Sequence, residues 1–515
     1  AATRVNAEGL IEDVRVVSNI YSSNFISGVD GWTAFGLGNI DGGISIGSED
    51  DSLKYTVSSA VGDTRSFLKL NTKTIGNQYK LTFRYYIPST NPNLSSVISS
   101  ESGIRYFVVD AWTTVTEYFT ASSVDTKLSV GDANDYLSPA AIGETAYIKD
   151  VSIVEVTDAT NIPRIDYTTG EGVVLLEPQS TNIAKYSEQL NTAPNVSDNA
   201  SYTSSYYVAP NGLTEAPKFE ETTANGRHGF YQYQAVTSGS YSVSIYTKQF
   251  DRRYISLQSD IAGGSQFTYF DLQTGTVVSE GAGWSATINA VGDNGWYRLT
   301  ATCTAVAGTR FVIFGGSLDG LSNTYVGDGS EFTFWGLQLE ALPYATSYIP
   351  TSGAIATRLA DSVTGAGDAT TFNSTEGVLY IEGSALVETA TSNRHLTISD
   401  GTNDNRFYFY YTASGQFGFA VFVGNVLQAN IKYDGVIVNN SKVACKYKEN
   451  DYALWVDGVE VGTDTSASVW SNGTLNRLDF SEPSRTDGKL QGKVKALAVF
   501  NEALTDSELE CLTKI

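Results

Sequence analysis

The chain has 515 residues, a length that accommodates about three domains of ordinary size. Aromatic residues make up 12% of it, charged residues only 17%, and the net charge is −23. The aromatic content is too high for a disordered chain, and the acidity argues against nucleic acid or an anionic membrane surface as a partner. No apolar run approaches the ~20 residues that span a bilayer, so no membrane insertion is expected.

The first part of the chain predicts an extended lead-in, residues 1–17, followed by a β domain, residues 18–157. The stretch QYKLTFRYY alternates between two faces, as a half-buried strand does. Its predicted core face carries Tyr79, Leu81, Phe83 and Tyr85, and its other face carries Lys80, Thr82, Arg84 and Tyr86. We assign Trp32 and Trp112 to the core. The glycine-rich GLGNIDGG near residue 38 is interpreted as a turn, because it lacks the strand–turn–helix context of a nucleotide loop.

Residues 158–181 interrupt the polar chain with the apolar run Val173–Leu176. Pro163 and Pro178 fix φ and exclude a continuous helix or central strand. We therefore predict a joint between two domains, whose apolar residues cover the ends of the flanking sandwiches. The alternative is that the run is an edge strand of the second domain.

The second domain, residues 182–349, repeats the order of strands seen in the first, and a second joint, residues 350–361, follows it. In WYRLTATCTA the alternation places Cys303 on the core face with Leu299 and Ala301. The three cysteines are widely spaced and odd in number, so we expect neither a disulfide framework nor a zinc site.

The third domain, residues 362–515, has a different pattern. Asp457-Gly458 predicts a hairpin turn of type I′, and Thr505 with Glu508 predicts the capping box of a short terminal helix. The chain as a whole is therefore predicted to be all-β, with three tandem β-sandwich (jelly-roll) domains and one short C-terminal helix.

Several motifs carry a resemblance to known proteins: IPRIDYTTGEG with LLEPQSTN, the segment GWYRLTAT…EFTFWGLQLEALPYATSYIPTSG, and the lead-in ATRVNAEGLIE. They resemble modules of bacteriophage and prophage appendage proteins such as tail and head fibres. The first two domains resemble carbohydrate-binding-module jelly rolls. The last, with YALWVDGVEVG and VKALAVFNEALTDSELECLT, resembles the laminin-G/concanavalin-like sandwich. The resemblance implies display on a virion surface, glycan recognition, contacts with other virion proteins and a homo-oligomer, namely a trimer.

Catalytic motifs give little support for an enzyme. The sequence has no HExxH and no phosphate-binding GxxxxGK[ST], and its two histidines, His228 and His395, are interpreted as structural. We expect no cofactor. A structural Ca²⁺ in the loop SDGTNDNR is weighed against a plain turn, since oxygen-rich side chains suit calcium but also favour turns. Its candidate ligands are Asp400, Asn403, Asp404 and Asn405.

Sugar binding would use aromatic rings on the non-core side of a strand, beside polar groups that bond the hydroxyls of the sugar. The candidates chosen by this rule are Arg84, Tyr86, Tyr246, Lys248, Arg406, Tyr408 and Tyr410. The alternative for each is that a loop or a partner subunit covers that face.

The sequence thus favours a non-enzymatic fibre or spike protein of a phage virion that binds host-surface glycans multivalently. A polysaccharide-degrading enzyme, which would need a cleft with two carboxylates, is the first alternative. A purely structural decoration or scaffold protein of the virion, which would bind no sugar, is the second.

Overall fold

A computed structural model describes the chain apart from residues 1–2, 7–8, 14, 27, 33–37, 47–48, 59–67, 72, 92, 95, 100–104, 107, 132–140, 159–163, 169, 191–195, 213, 387–392, 413–415, 437–439 and 484–487. Pro163 therefore lies outside the described residues. The chain forms two compact units, one made of Arg15–Ala159 and the other of Ala1–Val14 with Thr160–Ile515. The described elements are strands and one short helix, which confirms the predicted all-β class. No helix among the described residues is long and apolar enough to cross a membrane.

The chain begins with an N-terminal hairpin, β1 (Thr3–Val5) and β2 (Ile11–Asp13), which belongs to the second unit. The first unit is the N-terminal sandwich. Its strands are β3 (Arg15–Ser23), β4 (Gly38–Ile46), β5 (Glu49–Val57), β6 (Leu68–Asn71), β7 (Gln78–Tyr86), β8 (Ser96–Ser99), β9 (Arg105–Tyr106), β10 (Thr113–Thr120), β11 (Asp125–Gly131) and β12 (Thr145–Asp158). One sheet has the order β10-β7-β12-β5-β4, with β3 also paired to β12, and the other has the order β6-β11-β8-β9.

The two sheets of the N-terminal sandwich share one hydrophobic core. In β7 the residues Tyr79, Leu81, Phe83 and Tyr85 are buried in it, together with Val97 and Leu128 of the smaller sheet. The alternation predicted from the sequence is therefore confirmed. The glycine-rich stretch that was expected to be a turn lies in β4 over residues 38–43, where the pairing with β5 is irregular between Asp41 and Ile44. A bulge of this kind is the usual consequence of glycine inside a strand.

The second unit contains the joint, the middle sandwich and the C-terminal sandwich. Its first strands are β13 (Arg164–Asp166), β14 (Val173–Leu176) and β15 (Ser180–Asn182). The middle sandwich follows, with β16 (Val196–Asp198), β17 (Ala200–Val208), β18 (Thr214–Glu221), β19 (Asn225–Gly226), β20 (Gly229–Val236), β21 (Gly239–Lys248), β22 (Tyr254–Ser259), β23 (Gln266–Asp271), β24 (Thr276–Ser279), β25 (Trp284–Val291), β26 (Trp296–Ala305), β27 (Gly308–Ser317), β28 (Tyr325–Val326) and β29 (Glu331–Glu340). Its two six-stranded sheets have the orders β16-β20-β27-β22-β23-β24 and β17-β18-β29-β21-β26-β25.

Aromatic side chains dominate the core of the middle sandwich. Phe219 stacks on Phe332 with ring centroids 5.6 Å apart and on Phe230 with centroids 5.8 Å apart. The first pair lies within one sheet, whereas the second packs across the core between the two sheets, and both bury a large apolar area. Cys303 is buried in this core, as predicted.

After β30 (Ala356–Arg358) the C-terminal sandwich is formed by β31 (Glu376–Ala385), β32 (Arg394–Ser399), β33 (Arg406–Tyr411), β34 (Gln416–Val423), β35 (Val426–Val436), β36 (Ser441–Lys448), β37 (Tyr452–Val456), β38 (Val459–Asp464), β39 (Arg477–Asp479), β40 (Gly492–Phe500) and the helix α1 (Asp506–Thr513). One sheet has the order β35-β34-β33-β32-β39 and the other β13-β14-β40-β31-β36-β37-β38. The turn Asp457-Gly458 has positive φ at both residues, as a type I′ turn requires, and Thr505 forms the predicted capping box with Glu508.

The apolar run of the joint is a strand of the C-terminal sandwich. Val174 of β14 lies opposite Val494 of β40, and β13 adds a further strand outside β14. The sequence led us to expect that this run only covers the ends of the flanking domains. In the structure it forms a strand of a sheet in which β31, β36, β37, β38 and β40 come about 200 to 330 residues later in the chain.

Three buried charged side chains, Arg164, Glu177 and Arg358, and the partly buried Asp361 lie where the two joints meet the end of the middle sandwich. Arg164 Nη2 lies 2.8 Å from Glu177 Oε2, and Arg164 Nε donates to Asp361 Oδ1 over 2.9 Å. Arg358 Nη2 is 3.4 Å from the same Glu177 oxygen, and the backbone N–H of Ser347 donates to the other one over 2.9 Å. We call these four charged residues the joint ion cluster. Burial alone would raise the pKa of Glu177, but Arg358 and Arg164 outweigh it and lower this pKa to about 2.

Candidate functional site

The N-terminal sandwich carries a group of aromatic rings on the outer side of its larger sheet. Tyr86, at the end of β7, has its ring centroid 5.7 Å from that of Trp112 and 6.2 Å from that of Tyr147. The register explains this grouping, because Tyr147 of β12 lies directly opposite Tyr86. Tyr86 and Trp112 are partly exposed, so part of their ring surface faces solvent.

Charged groups surround these rings. The Arg84 guanidinium lies 5.5 Å from the Trp112 ring centroid, and Lys149 Nζ lies 5.7 Å from it, both within the range of a cation–π interaction. Glu49 binds both cations: Arg84 Nη1 donates to it over 2.6 Å, and Lys149 Nζ lies 3.0 Å away. The hydrogen bond from Arg84 lowers the pKa of Glu49. The result is a ring surface bordered by donors and acceptors.

The partial exposure of Trp112 corrects our assignment of this residue to the core. Thr113 lies opposite Tyr85, whose side chain points into the core, so the preceding residue is level with Tyr86 and on the outer face. Trp32 is buried in the core, as predicted. The sequence reasoning thus named Arg84 and Tyr86 and missed Trp112, Lys149 and Glu49 beside them.

In the middle sandwich the two candidates lie on the sheet that the joint covers. Tyr246 is 3% exposed, with its ring centroid 6.0 Å from Tyr348 and 5.5 Å from Trp335. Ile11 of the N-terminal hairpin belongs to the same buried cluster. Lys248 is partly exposed at the end of β21, opposite Trp296. The ring of Tyr246 therefore offers no surface to a ligand, because segments from distant parts of the chain pack over it.

The other sheet of the middle sandwich presents a second aromatic face, which the sequence reasoning missed. Tyr233 is 58% exposed, with its ring edge-to-face against Tyr231 at 5.7 Å and against Phe311 at 6.3 Å. Phe267 lies on the same face, three strands away from Tyr233, and is 37% exposed. The stretch GFYQYQAV could have predicted this face from the sequence, because its two tyrosines alternate with glutamines and therefore share one face of β20.

A fixed polar group separates the rings of this face. The side-chain carbonyl of Gln258 accepts hydrogen bonds from Arg227 Nη1 over 3.2 Å and from Asn323 Nδ2 over 3.0 Å. Its amide donates to Ser265 Oγ over 2.8 Å. Arg227 is in turn held by Asp198 at 2.8 Å. Rings and oriented amides thus alternate across the strands.

In the C-terminal sandwich all three candidates lie on the outer face of β33. The Arg406 guanidinium sits 4.0 Å from the Phe422 ring centroid, and Tyr408 stacks with Phe422 at 6.2 Å. Tyr410 is buried and donates its hydroxyl hydrogen to Asn430 Oδ1 over 3.1 Å. Of the three, only Tyr408 keeps an intermediate exposure. Its ring also lies 5.0 Å from His395, which is buried.

The loop of the calcium candidates uses its oxygens within the turn. One Asp400 oxygen accepts from the backbone and hydroxyl of Thr402, at 2.8 and 2.6 Å, and the other accepts from Asn405 Nδ2 at 2.8 Å. Burial raises the pKa of Asp400, but the hydrogen bonds from Thr402 and Asn405 outweigh it and lower it. The main-chain carbonyls of Asn403 and Asp404 accept from Arg406 and from the Asn425 N–H. Among the described residues, no group of three or more His, Cys, Asp or Glu side chains could hold a metal ion.

One stretch fits the string GxSxG that marks a hydrolase nucleophile, namely GISIG, residues 43–47. Ser45 lies within the edge strand β4, which is followed by β5 and not by a helix. A nucleophile elbow requires a sharp turn from a strand into a helix, so this match carries no catalytic meaning. The lowered pKa of Glu49 is likewise the opposite of what a glycosidase acid needs.

Residues 384–510 match the family model described as the concanavalin A-like lectin/glucanases superfamily. This match covers the C-terminal sandwich and leaves the other two unassigned. No curated protein matches the chain at a significant level.

Several solved structures are similar to parts of the chain. The CBM40 domain of the Ruminococcus gnavus IT-sialidase is 20% identical, with a TM-score of 0.25, over 30% of this chain and 94% of that domain. The tandem CBM22 domains of Paenibacillus barcinonensis Xyn10C are 12% identical, with a TM-score of 0.24, over 64% of this chain and 99% of theirs. Domains LG4-5 of the mouse laminin alpha1 chain are 13% identical, with a TM-score of 0.20, over 55% and 90%. At these values the similarities say nothing about what this chain binds.

Proposed function

We propose that the protein is a non-enzymatic, multivalent glycan-binding protein of a phage virion surface. One observation carries the glycan part of the proposal: an outer sheet face in each of the three sandwiches bears aromatic rings together with polar side chains that can hydrogen-bond a ligand. A pyranose ring has an apolar face that packs on an aromatic ring and hydroxyls that need bonding partners at its edge. Each of the three faces provides both kinds of group.

The three faces differ in how much ring surface they expose. The middle face, with Tyr233 and Phe267, exposes the most, while Trp112 and Tyr408 are partly exposed. Shallow faces of this kind bury little of a ligand and bind it weakly. Several weak sites on one chain, repeated in an oligomer, raise the overall affinity through effective concentration. The match of residues 384–510 to a superfamily that includes lectins supports this view for the C-terminal sandwich.

Placement on a virion is supported by the phage-type sequence motifs of the two joints. A trimer would supply the repetition that weak sites need, and host-surface polysaccharide would be the ligand. Immunogold labelling of phage particles with an antibody against this chain would test the location. Labelling only of host debris would refute the virion assignment.

Glycan binding is tested on an array of bacterial polysaccharides with the variants Trp112→Ala, Tyr233→Ala and Tyr408→Ala. We expect each variant to lose signal, since one ring–sugar contact is lost per chain and the loss is multiplied in the oligomer. Tyr202→Ala is the matched control, because this ring is 46% exposed and belongs to the sheet of the middle sandwich that does not carry Tyr233. A blank array for the unmodified protein, or equal losses in the control, would exclude glycan binding and favour a structural role.

A further inference from the structure

A groove of about 390 Å³ lies on the outer side of β25 and β26, on the sheet opposite to the aromatic face of the middle sandwich. Its floor consists of three cross-strand pairs: Ser285 with Thr302, Thr287 with Thr300, and Asn289 with Arg298. The neighbouring side chains of β25 and β26, such as Trp284, Leu299 and Cys303, point to the core. The groove therefore owes its polar floor to the strand alternation.

Three segments distant in sequence form the wall of this groove. They are the N-terminal hairpin at Val5, the joint at Thr168 and the segment Pro343–Ala345. Tyr246, which is buried against Tyr348 and Trp335, borders one end of the groove. The volume lies within the range of pockets that hold small ligands, about 300–1,000 Å³.

Arg298 has an unusual environment for an arginine of this acidic chain. The other arginines of the middle sandwich each have a carboxylate within 4.0 Å, and these are Arg227, Arg252, Arg253 and Arg310. In the described part of the chain, no carboxylate lies within that distance of Arg298. Its Nη2 donates to Ser244 Oγ over 2.9 Å and to the Thr346 carbonyl over 2.8 Å, which holds the guanidinium in place. Its buried Nε has no hydrogen-bond partner among the described residues.

A positioned guanidinium with no carboxylate partner selects an anionic group, and Arg298 Nη1 can donate a charge-assisted hydrogen bond to a carboxylate. The hydroxyl and amide groups of the other floor residues suit a chain that carries many hydroxyls. Neighbouring floor groups are about 4.8 Å apart across the strands and about 6.8 Å apart along them. A ligand of several linked polar rings can therefore contact more than one pair at once.

We propose that this groove binds a saccharide chain that bears carboxylate groups, with a carboxylate on Arg298 and hydroxyls on Thr287, Thr300 and their neighbours. The proposal rests on the proposed glycan-binding function and adds the ligand class. It also gives the joint a role in binding, since the groove exists only where the joint and the N-terminal hairpin pack against the middle sandwich.

The test is calorimetric titration of the full chain with oligogalacturonate and with the same oligomer after reduction of its carboxyl groups. We expect the acidic oligomer to bind at least ~10-fold more tightly, because a charge-assisted hydrogen bond from Arg298 Nη1 is worth more than a neutral hydrogen bond. Arg298→Gln should abolish this preference, and Arg298→Lys, which keeps the charge, should retain part of it. Thr287→Val should weaken both oligomers by about 2- to 10-fold, the contribution of one hydrogen bond. Thr276→Val, an exposed threonine of β24, is the matched control and should change neither.

Equal binding of the two oligomers, or an unchanged preference in a folded Arg298→Gln variant, would refute the proposal that the groove binds a carboxylate-bearing saccharide. Such a result would leave the aromatic faces intact as glycan sites if the array signals persist. A blank array together with no titration signal would instead remove the proposed function itself. Circular dichroism of each variant shows that it is folded.

Discussion

Replacing Glu177 by Gln removes one charge from the joint ion cluster while keeping the size of the side chain. Glu177 is 7% exposed and contacts Arg164, Arg358 and the backbone of Ser347. After the change two buried guanidinium groups share the single remaining carboxylate, Asp361. Breaking a buried ion pair from one side typically costs about 3–5 kcal/mol, because a charge is left without compensation.

The pKa of Glu177 gives a second estimate of the same effect. Its lowering from 4.5 to about 2 corresponds to about 3 kcal/mol, at about 1.4 kcal/mol for each pKa unit. Because the pKa is lower in the folded state, this stability is complete above a pH of about 4.5 and is lost as the pH falls towards 2. At pH 3 about 2 kcal/mol of this contribution to the free energy of unfolding should be lost.

Urea unfolding followed by circular dichroism at pH 7 and pH 3 measures both quantities. We expect Glu177→Gln to lower the free energy of unfolding by about 3–5 kcal/mol at pH 7 and by clearly less at pH 3. The control is Glu376→Gln, since Glu376 pairs with Lys448 at the surface, where the two side chains are 31% and 50% exposed. Exposed pairs contribute at most about 1 kcal/mol. If the two variants were equally stable at pH 7, or if the cost at Glu177 did not change with pH, the electrostatic reasoning would be refuted.

Further predictions concern single features of the fold. Trp32→Ala should cost about 3–5 kcal/mol in urea unfolding while Trp112→Ala costs much less, because only the first ring is buried in the core; equal costs would contradict the assignment. Gly458→Ala should lower stability by about 1–2 kcal/mol, since φ is +82° there and an L side chain is strained at that angle; a neutral result would mean that the turn relaxes. Chelation of divalent cations should leave the melting temperature unchanged, because the Asp400 oxygens already accept hydrogen bonds within their turn. A higher melting temperature on adding Ca²⁺ would instead support the calcium-site hypothesis.

Local patterns predicted the features that depend on neighbours in sequence. The alternation in β7 gave the correct core face, and the spacing of Thr505 and Glu508 gave the cap of α1. Both follow from backbone geometry alone, since side chains alternate along a strand and a cap bonds to the first helical turn.

The same patterns could not decide which outer face stays open. Tyr86 and Tyr246 occupy equivalent places, each on the side of a strand away from the core. Tyr348, about 100 residues after Tyr246, packs over the second ring, whereas the first remains partly exposed. Alternation along a strand shows only that a side chain points away from the core of its own sandwich. Whether the side chain is then exposed or buried depends on whether a distant segment packs over it. Val173–Leu176 shows the same limit, because nothing in four apolar residues identifies β40 as their partner.

The two sheets of the middle sandwich therefore differ in whether other segments of the chain cover them. One sheet is covered by the N-terminal hairpin and the joint, and the joint continues into the sheet of the C-terminal sandwich through β14. The other sheet keeps Tyr233 and Phe267 at the surface. Several weak sites raise the overall affinity only if one polymer can occupy them at the same time. A site that the bound polymer cannot reach adds nothing to the affinity. Under the proposed function, the joint ion cluster contributes to binding indirectly, because it ties the joint to the end of the middle sandwich at Ser347 without covering Tyr233 or Phe267.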